Sequence, residues 1–321
     1  MTDLFTQVAA DFARADQSKR VGMLSIKPIS AVIAEAAARP NPKNLWNSCW
    51  YEGEVSCLFA DSNVGKSILA VQIAEEIARQ EKVMYFDFEL SDKQLQLRYS
   101  SEQGELHTFP PNLYRAEIDA EAMRADANFE ESIINSIEEA ALQQGAKVLI
   151  IDNLTYLCIA SEKGDAAGNL MIRLMGLKRK YGWSILVLAH TPKRQLCNPI
   201  TQNDLAGSKK LYNFFDSVFA IGRSAKDGNL RYIKQIKVRH GSYQYDADNV
   251  LVYSIEKEAS AVRFVFQGFA TEREHLKEPS ENDTLQIAEN IKALRSQGMS
   301  VRDIGAELGL SKSKVQRLLN K

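Results

Sequence analysis

The stretch 54-EVSCLFADSNVGKSILAVQIAEEIARQ-80 passes from a short apolar run through a polar turn into a helical pattern. Inside it, 60-ADSNVGKS-67 nearly matches the phosphate-binding pattern G-x-x-x-x-G-K-[ST], with Ala60 where the first glycine belongs. A strand before and an amphipathic helix after is the setting that this pattern needs. Backbone N–H groups of the loop and helix N-terminus surround phosphates, and the helix dipole favours anions. Ala60, Asp61, Ser62, Asn63, Val64, Gly65, Lys66, Ser67 and Ile68 are therefore the expected nucleotide-binding segment. Lys66 would reach the β- and γ-phosphates, and the Ser67 hydroxyl would ligate Mg²⁺. Alanine serves at position 60 if its φ stays negative, while Gly65, beside the phosphates, is retained. The plainer alternative is a strand–turn–helix with a solvent-facing Lys66.

Working outward, apolar runs recur at 83-VMYFDF-88, 147-KVLIID-152 and 184-SILVLAH-190. Helical patterns separate them over Ile68–Gln80 and roughly 92–103, 129–144 and 166–181. This alternation predicts βαβ units and an α/β fold with a mostly parallel sheet covered on both faces. Later runs at 216–221, 230–238, 249–255 and 261–267 alternate like hairpin strands at a sheet edge. Three of the strand ends carry chemistry. Asp152 closes an apolar strand downstream of the loop and fits the acid that holds the Mg²⁺ shell. Glu89, just past another strand, fits a general base for the attacking water; Asp87 sits within the alternation of that strand, and an acid favoured at a helix N-terminus is the other reading of Glu89. His190 ends a third strand, where a polar side chain can touch the γ-phosphate.

The 321-residue chain has a formal net charge of -1, 45% apolar and 25% charged residues. That balance fits a globular protein of one to three domains and excludes a uniformly basic nucleic-acid coat, though not local basic patches. Cys49, Cys57, Cys158 and Cys197 show no zinc or disulfide spacing, which suits a reducing cytoplasm. No signal peptide is evident, and no run approaches the ~18 apolar residues of a membrane span.

The order of loop, strand-Glu, strand with Asp-Asn, strand-His and 205-LAGSKKLYNFFDSVFAIG-222 resembles the RecA-like ATPases. It is most similar to the RepA-type hexameric helicases related to DnaB and KaiC, over roughly residues 45–255. The resemblance implies that Lys66, Ser67 and Asp152 bind ATP and Mg²⁺, that Glu89 is the catalytic base, and that His190 senses the γ-phosphate. It implies a homo-oligomeric ring, expected as a hexamer, with single-stranded DNA in a central channel. Lys193, Arg194, Lys209 and Lys210 would then be phosphate contacts, a solvated basic loop being the alternative. Family members also supply cations in trans from a late strand. Here 234-KQIKVRH-240 sets Lys237 and Arg239 two apart on one strand face, where they would reach a neighbour's γ-phosphate or simply be exposed edge charges. Residues 1–45 are too short for the large N-terminal collar of DnaB-type helicases, so ATP-driven assembly on DNA without processive unwinding stays open.

Domain boundaries follow: a 1–45 adaptor, a 46–268 RecA-like ATPase domain, a 269–284 linker and a 285–321 helical module. In the module, 300-SVRDIGAELGLSKSKVQRLL-319 resembles the helix-turn-helix of site-specific resolvases and transcription regulators. Ser300 and Ser311 are expected N-caps, and Gly309 a helix end. The resemblance puts the third helix in a DNA major groove with Lys312, Lys314 and Arg317 facing the duplex, beside Ser313 and Gln316. A small protein-interaction domain is the other reading. As a whole, the sequence leads to a DNA-associated ATPase of plasmid or mobile-element replication; the alternatives are an ATP-controlled DNA-binding regulator and a fold that binds nucleotide without turning it over.

Overall fold

Strands that are apolar on both faces need helices above and below, and two separate apolar clusters on the two faces of one sheet meet that need. The computed structural model describes residues 19–119, 121, 129–153, 166–191, 195–205, 209–278 and 281–320. The chain divides into two units, the first ending at Lys43 and the second starting at Asn44.

In the first unit, β1 (Lys19–Val21) and β2 (Leu24–Ile26) form an antiparallel hairpin that turns at Gly22, followed by α1 (Ile29–Ala37). Of its described residues only Ala31 is buried, and Val21, Leu24, Ile26, Ile29 and Ile33 are exposed.

The second unit begins with a small hairpin, β3 (Asn44–Trp46) and β4 (Trp50–Tyr51). Then come β5 (Val55–Ala60), α2 (Lys66–Ala78), β6 (Val83–Asp87), α3 (Asp92–Arg98), β7 (Leu113–Ala116), α4 (Phe129–Gln144), β8 (Val148–Asp152), α5 (Ala166–Tyr181) and β9 (Ser184–His190). A 3₁₀ turn at Gln202–Asp204 leads to α6 (Lys209–Phe214), β10 (Ser217–Arg223), β11 (Leu230–Lys237), β12 (Val250–Glu258), β13 (Ala261–Ala270) and α7 (Glu272–His275). Last are α8 (Glu281–Ser296), α9 (Val301–Leu308) and α10 (Lys312–Leu319). Strands β5 to β13 make one nine-stranded sheet in the order β13-β12-β11-β10-β5-β9-β8-β6-β7. The β10 to β7 half is parallel throughout, and β11, β12 and β13 extend it antiparallel.

Alternation along β5 sends Val55, Cys57 and Phe59 to the face covered by α4 and α5, through residues such as Ile137, Leu170 and Leu174. Leu58 and Ala60 go to the other face, with Leu69, Ile73 and Ile77 of α2 and both Trp46 and Trp50. Two expectations shift. The helix expected over 92–103 is capped by Ser91 and Gln94 but stops at Arg98, because Ser100–Ser101 and Gly104, at φ 86°, favour a turn. The charged stretch read as the 269–284 linker instead carries the end of β13, then α7, then the start of α8. Among the described residues no helix is long and apolar enough to cross a membrane.

The last three helices enclose their own apolar cluster of Ile287, Ile291, Ile304, Leu310, Val315 and Leu318, and Cys197 from the segment after β9 joins it. Ser300 accepts from the Asp303 N–H at 3.2 Å and Ser311 from the Lys314 N–H at 3.2 Å. Gly309 ends α9 in the left-handed region at φ 64°. The module is seated on the 195–205 segment: the Asn203 side-chain amide donates to the Glu307 carbonyl at 3.0 Å.

At Gly222 a side chain is sterically excluded. A Cβ there would lie 2.1 Å from the ring of Tyr232, its cross-strand partner on β11, which is fully buried. Gly222→Ala is expected to destabilise the chain by about 2 kcal/mol or more, as overpacking does. Urea unfolding checks this, with a lower midpoint at an unchanged slope as the expected result.

Candidate nucleotide site

The parallel strands β5, β6, β8 and β9 all end at one edge of the sheet, and the polar residues at those ends share a cleft. It has a volume of about 480 Å³ and is lined by Ser62, Asn63, Gly65, Lys66, Ser67, Ile68, Glu89, Arg98, His190 and Ile255. Ala60 lies within β5, is buried, and is not among the residues of positive φ. The turn is made further on, at Asn63 with φ 59° and Gly65 with φ 105°, so alanine at position 60 meets no conformational penalty. Gly65 does need to be glycine: a Cβ would meet Ile255 Cδ1 at 2.9 Å and the Phe264 ring at 3.0 Å.

Lys66, the first residue of α2, is 7% exposed. Its Nζ donates to the carbonyls of Ala60 at 3.1 Å and Asp61 at 3.4 Å and lies 3.1 Å from His190 Nδ1. An ammonium only donates, so Nδ1 accepts from Lys66, and on the other side of the ring Asn153 Nδ2 approaches Nε2 at 3.1 Å. That nitrogen faces Glu89 Oε1 at 3.3 Å. Asn153 Nδ2 also donates to Glu89 Oε1. His190 thus bridges Lys66 and Glu89, the expected phosphate-binding lysine and the expected base. The hydrogen bond from His190 is the largest influence on Glu89 and, with Lys66 and Asn153, holds its carboxyl below the usual range. Glu89 is therefore an acceptor at neutral pH.

Asp152 is 1% exposed. Tyr85 donates its hydroxyl to Oδ2 at 2.7 Å. The Ser67 hydroxyl approaches the same carboxylate and favours its charged form, yet Oδ1 has no hydrogen-bond partner of good geometry. Desolvation pushes the Asp152 carboxyl up to about 6. It also lowers the Lys66 ammonium, against the pull of Asp152, Glu89 and Asp61; in both groups burial outweighs mutual attraction. A buried carboxylate oxygen without a partner beside a serine hydroxyl is a donor set that suits a hard cation. Mg²⁺ characteristically takes one or two protein oxygens plus phosphate and water. Among the described residues no cluster of three or more His, Cys, Asp or Glu side chains forms a metal cage.

The remaining expected residues lie elsewhere. Lys237 stands opposite Val218, near the start of β10, and hence at the sheet end away from its own cleft. It donates to the Tyr212 carbonyl at 3.0 Å, and Arg239 pairs with Asp216 at 2.9 Å and reaches the Asn213 carbonyl at 3.2 Å. Burial and the Arg239 charge lower the Lys237 ammonium. The two cations lie together but not in the cleft of their own chain. Lys193 and Arg194 lie outside the described residues; Lys209 and Lys210 open α6, with side chains outside the description. On α10, Lys312, Ser313, Gln316 and Arg317 are exposed and Lys314 is half-buried.

Sequence reasoning missed Arg98, Asn153, Tyr85, Ile255 and Arg231. Arg231, 8% exposed, donates to the Val64 carbonyl at 2.9 Å and so braces the loop from β11. Only Asn153, next to Asp152, carried a local signal. The others reach the site through tertiary structure.

The raised pKa of Asp152 makes a stability prediction. The folded chain binds this proton more tightly than the unfolded one, where a carboxyl titrates near 3.9. Ionisation therefore destabilises the ligand-free fold as pH rises from about 4 to about 6. Asp152→Asn is expected to stabilise the metal-free chain at pH 7 by on the order of 2–3 kcal/mol. The gap should close by about pH 4, and protection by Mg²⁺-nucleotide should be lost; urea unfolding at both pH values tests this.

Residues 23–195 match the model of the AAA domain family. Among solved structures, the chain resembles a KaiC-like protein from the hyperthermophilic archaeon Pyrococcus horikoshii OT3, with a TM-score of 0.50 and 14% identity. That likeness covers 67% of this chain and 90% of the other and shows the RecA-like fold alone. None of the curated proteins matches the chain. With the family model spanning 173 of 321 residues, more than half of its length, the chain belongs to the AAA domain family.

Proposed function

We propose that the protein hydrolyses ATP to ADP and phosphate as a DNA-associated ring ATPase, a RepA-type helicase or translocase of plasmid or mobile-element replication. The observation that carries this reading is the convergence of Lys66, Ser67, Glu89 and His190 on one cleft, with the buried Asp152 carboxylate against Ser67. Lys66 and the backbone N–H groups after Gly65 bind the phosphates. Ser67 and Asp152 hold Mg²⁺, which when bound offsets phosphate charge. Glu89, ionised and oriented by His190 and Asn153, accepts the proton of the attacking water. His190 touches both Lys66 and Glu89, so phosphate on Lys66 and proton position on Glu89 are linked through one ring.

In the assembled ring, proposed as a homo-hexamer, Lys237 and Arg239 of one subunit would stand at the γ-phosphate of the next. Their place at the far sheet end supports action on a neighbouring site rather than on their own. Lys193, Arg194, Lys209 and Lys210 are proposed contacts to single-stranded DNA in the channel. Lys312, Lys314 and Arg317 are proposed contacts to duplex DNA, the last three helices acting as a helix-turn-helix. A second reading, an ATP-controlled DNA-binding regulator without processive unwinding, has its own support. The last three helices are seated on the segment that leaves β9 just after His190, through Cys197 and the Asn203–Glu307 bond.

ATPase rates with and without single-stranded DNA separate the two. Strong stimulation is the result expected of the motor; no stimulation together with duplex binding through 285–321 would move the reading to the regulator. Lys66→Ala should abolish turnover. Lys66→Ala and Arg239→Ala chains, each inactive alone, should regain activity when mixed, because mixed interfaces pair an intact loop with an intact arginine. If mixing restores nothing, the trans arrangement fails.

A further inference from the structure

The turn that presents Glu89 is shaped by two residues that have no role in the reading above. Asp87, the last residue of β6, is 2% exposed. Its Oδ1 accepts the backbone N–H groups of Glu89 at 3.1 Å and Leu90 at 3.0 Å. Its Oδ2 accepts Arg115 Nε at 3.0 Å. Arg115 lies on the edge strand β7, in register with Tyr85 of β6. The same guanidinium donates to the Leu90 carbonyl and to Asp92 Oδ1, each at 2.5 Å, and has Glu117 at 3.2 Å. One planar fork therefore spans the end of β6, the middle of the turn and the first residue of α3. Glu89 sits inside that span, with its carboxylate on His190 and Asn153.

We propose that Asp87 and Arg115 are positioning residues for Glu89: they close the Asp87–Asp92 turn so that its carboxylate stays aimed into the cleft. The proposal rests on the reading of Glu89 as the base. A buried ion pair is weak evidence of a stabilising role, and this pair spends its hydrogen bonds on the backbone and flanks of one turn. Lysine cannot replace the fork, since one ammonium does not reach acceptors at both ends of the turn with fixed geometry. Misplacement of a reacting group by ~1 Å costs about 10²-fold in rate, so small relaxation of this turn has a kinetic signature distinct from loss of binding.

The test uses the full chain, MgATP turnover and the Kd of a fluorescent ATP analogue. Arg115→Lys is expected to lower kcat about 10²-fold. KM and nucleotide Kd should stay within about 3-fold, because the phosphate-binding loop is untouched. In a Glu89→Gln background the same change should lower kcat no further. If Arg115→Lys does not fold, Asp87→Asn serves. It keeps the oxygen that accepts the two N–H groups but turns a donor toward Arg115, and the same split is expected. A wild-type kcat in Arg115→Lys, with Glu89→Gln inactive, overturns the positioning role and leaves the base intact. Equal losses in kcat and nucleotide binding also overturn it. Wild-type turnover in Glu89→Gln overturns the base and the proposal with it.

Discussion

The Lys66 ammonium is buried at the start of α2, where desolvation opposes its charge. It is retained there by two carbonyls, the His190 ring and the field of Asp152, Glu89 and Asp61. Most of the site follows from this one group. Because it donates to Ala60 O, β5 must end in extended backbone and turn only at Asn63. Because it donates to His190 Nδ1, the other ring nitrogen is turned toward Glu89, and β9 must lie next to β5. Because Asp152 and Glu89 are within its field, β8 and β6 must end at the same sheet edge. The strand order satisfies all of these at once.

The antiparallel extension does more than widen the sheet. Phe264 of β13 and Ile255 of β12 come so close to Gly65 that a side chain there, already strained at φ 105°, would have to displace them. Gln72 of α2 then bonds to both backbone groups of Phe264, at 2.8 and 3.2 Å, as another strand would. Arg263 pairs with Glu75 of the same helix at 2.8 Å. With Arg231 on the Val64 carbonyl, the loop and α2 are held from outside by residues that come 167 and 188 positions later. A phosphate-binding loop built from backbone N–H groups gains from such bracing, since donors already in place need little reorganisation around an anion.

These features explain which parts of the protein are legible in the sequence. Strands buried on both faces read as unbroken apolar runs, so β5, β6, β8 and β9 and the acids or histidine at their ends stand out. Strand β7 has four residues, lies at the edge and includes Arg115, and so gives no such signal. Asp87 reads as one more alternating position, because its partner is on that unseen strand. The stretch 270–284 looks like a linker because it is densely charged. Yet Glu272 is 1% exposed and bonds to Lys234 at 2.6 Å and to the Ile200 N–H at 2.7 Å. Charge density in a sequence does not reveal which charges have found partners.

Cys197 carries this point into the C-terminal helices. On its own it is a cysteine without spacing to any other, and the sequence assigns it nothing. In the fold it is buried among Ile287, Ile291 and Leu310, while Pro199 and Thr201 lie so near Gly309 that a Cβ there would come within 3.5 and 3.2 Å of them. The helices are therefore not simply suspended from a tether after β13. They are gripped at a second place, by the segment that begins at the cleft beside His190 and is itself anchored to Glu272. A module held at both its entry and its flank has fewer orientations relative to the cleft than a module on a flexible chain. Whatever its exposed α10 face binds, that contact is restrained relative to the cleft lined by Lys66, Glu89 and His190, and six residues of chain lie between His190 and Cys197.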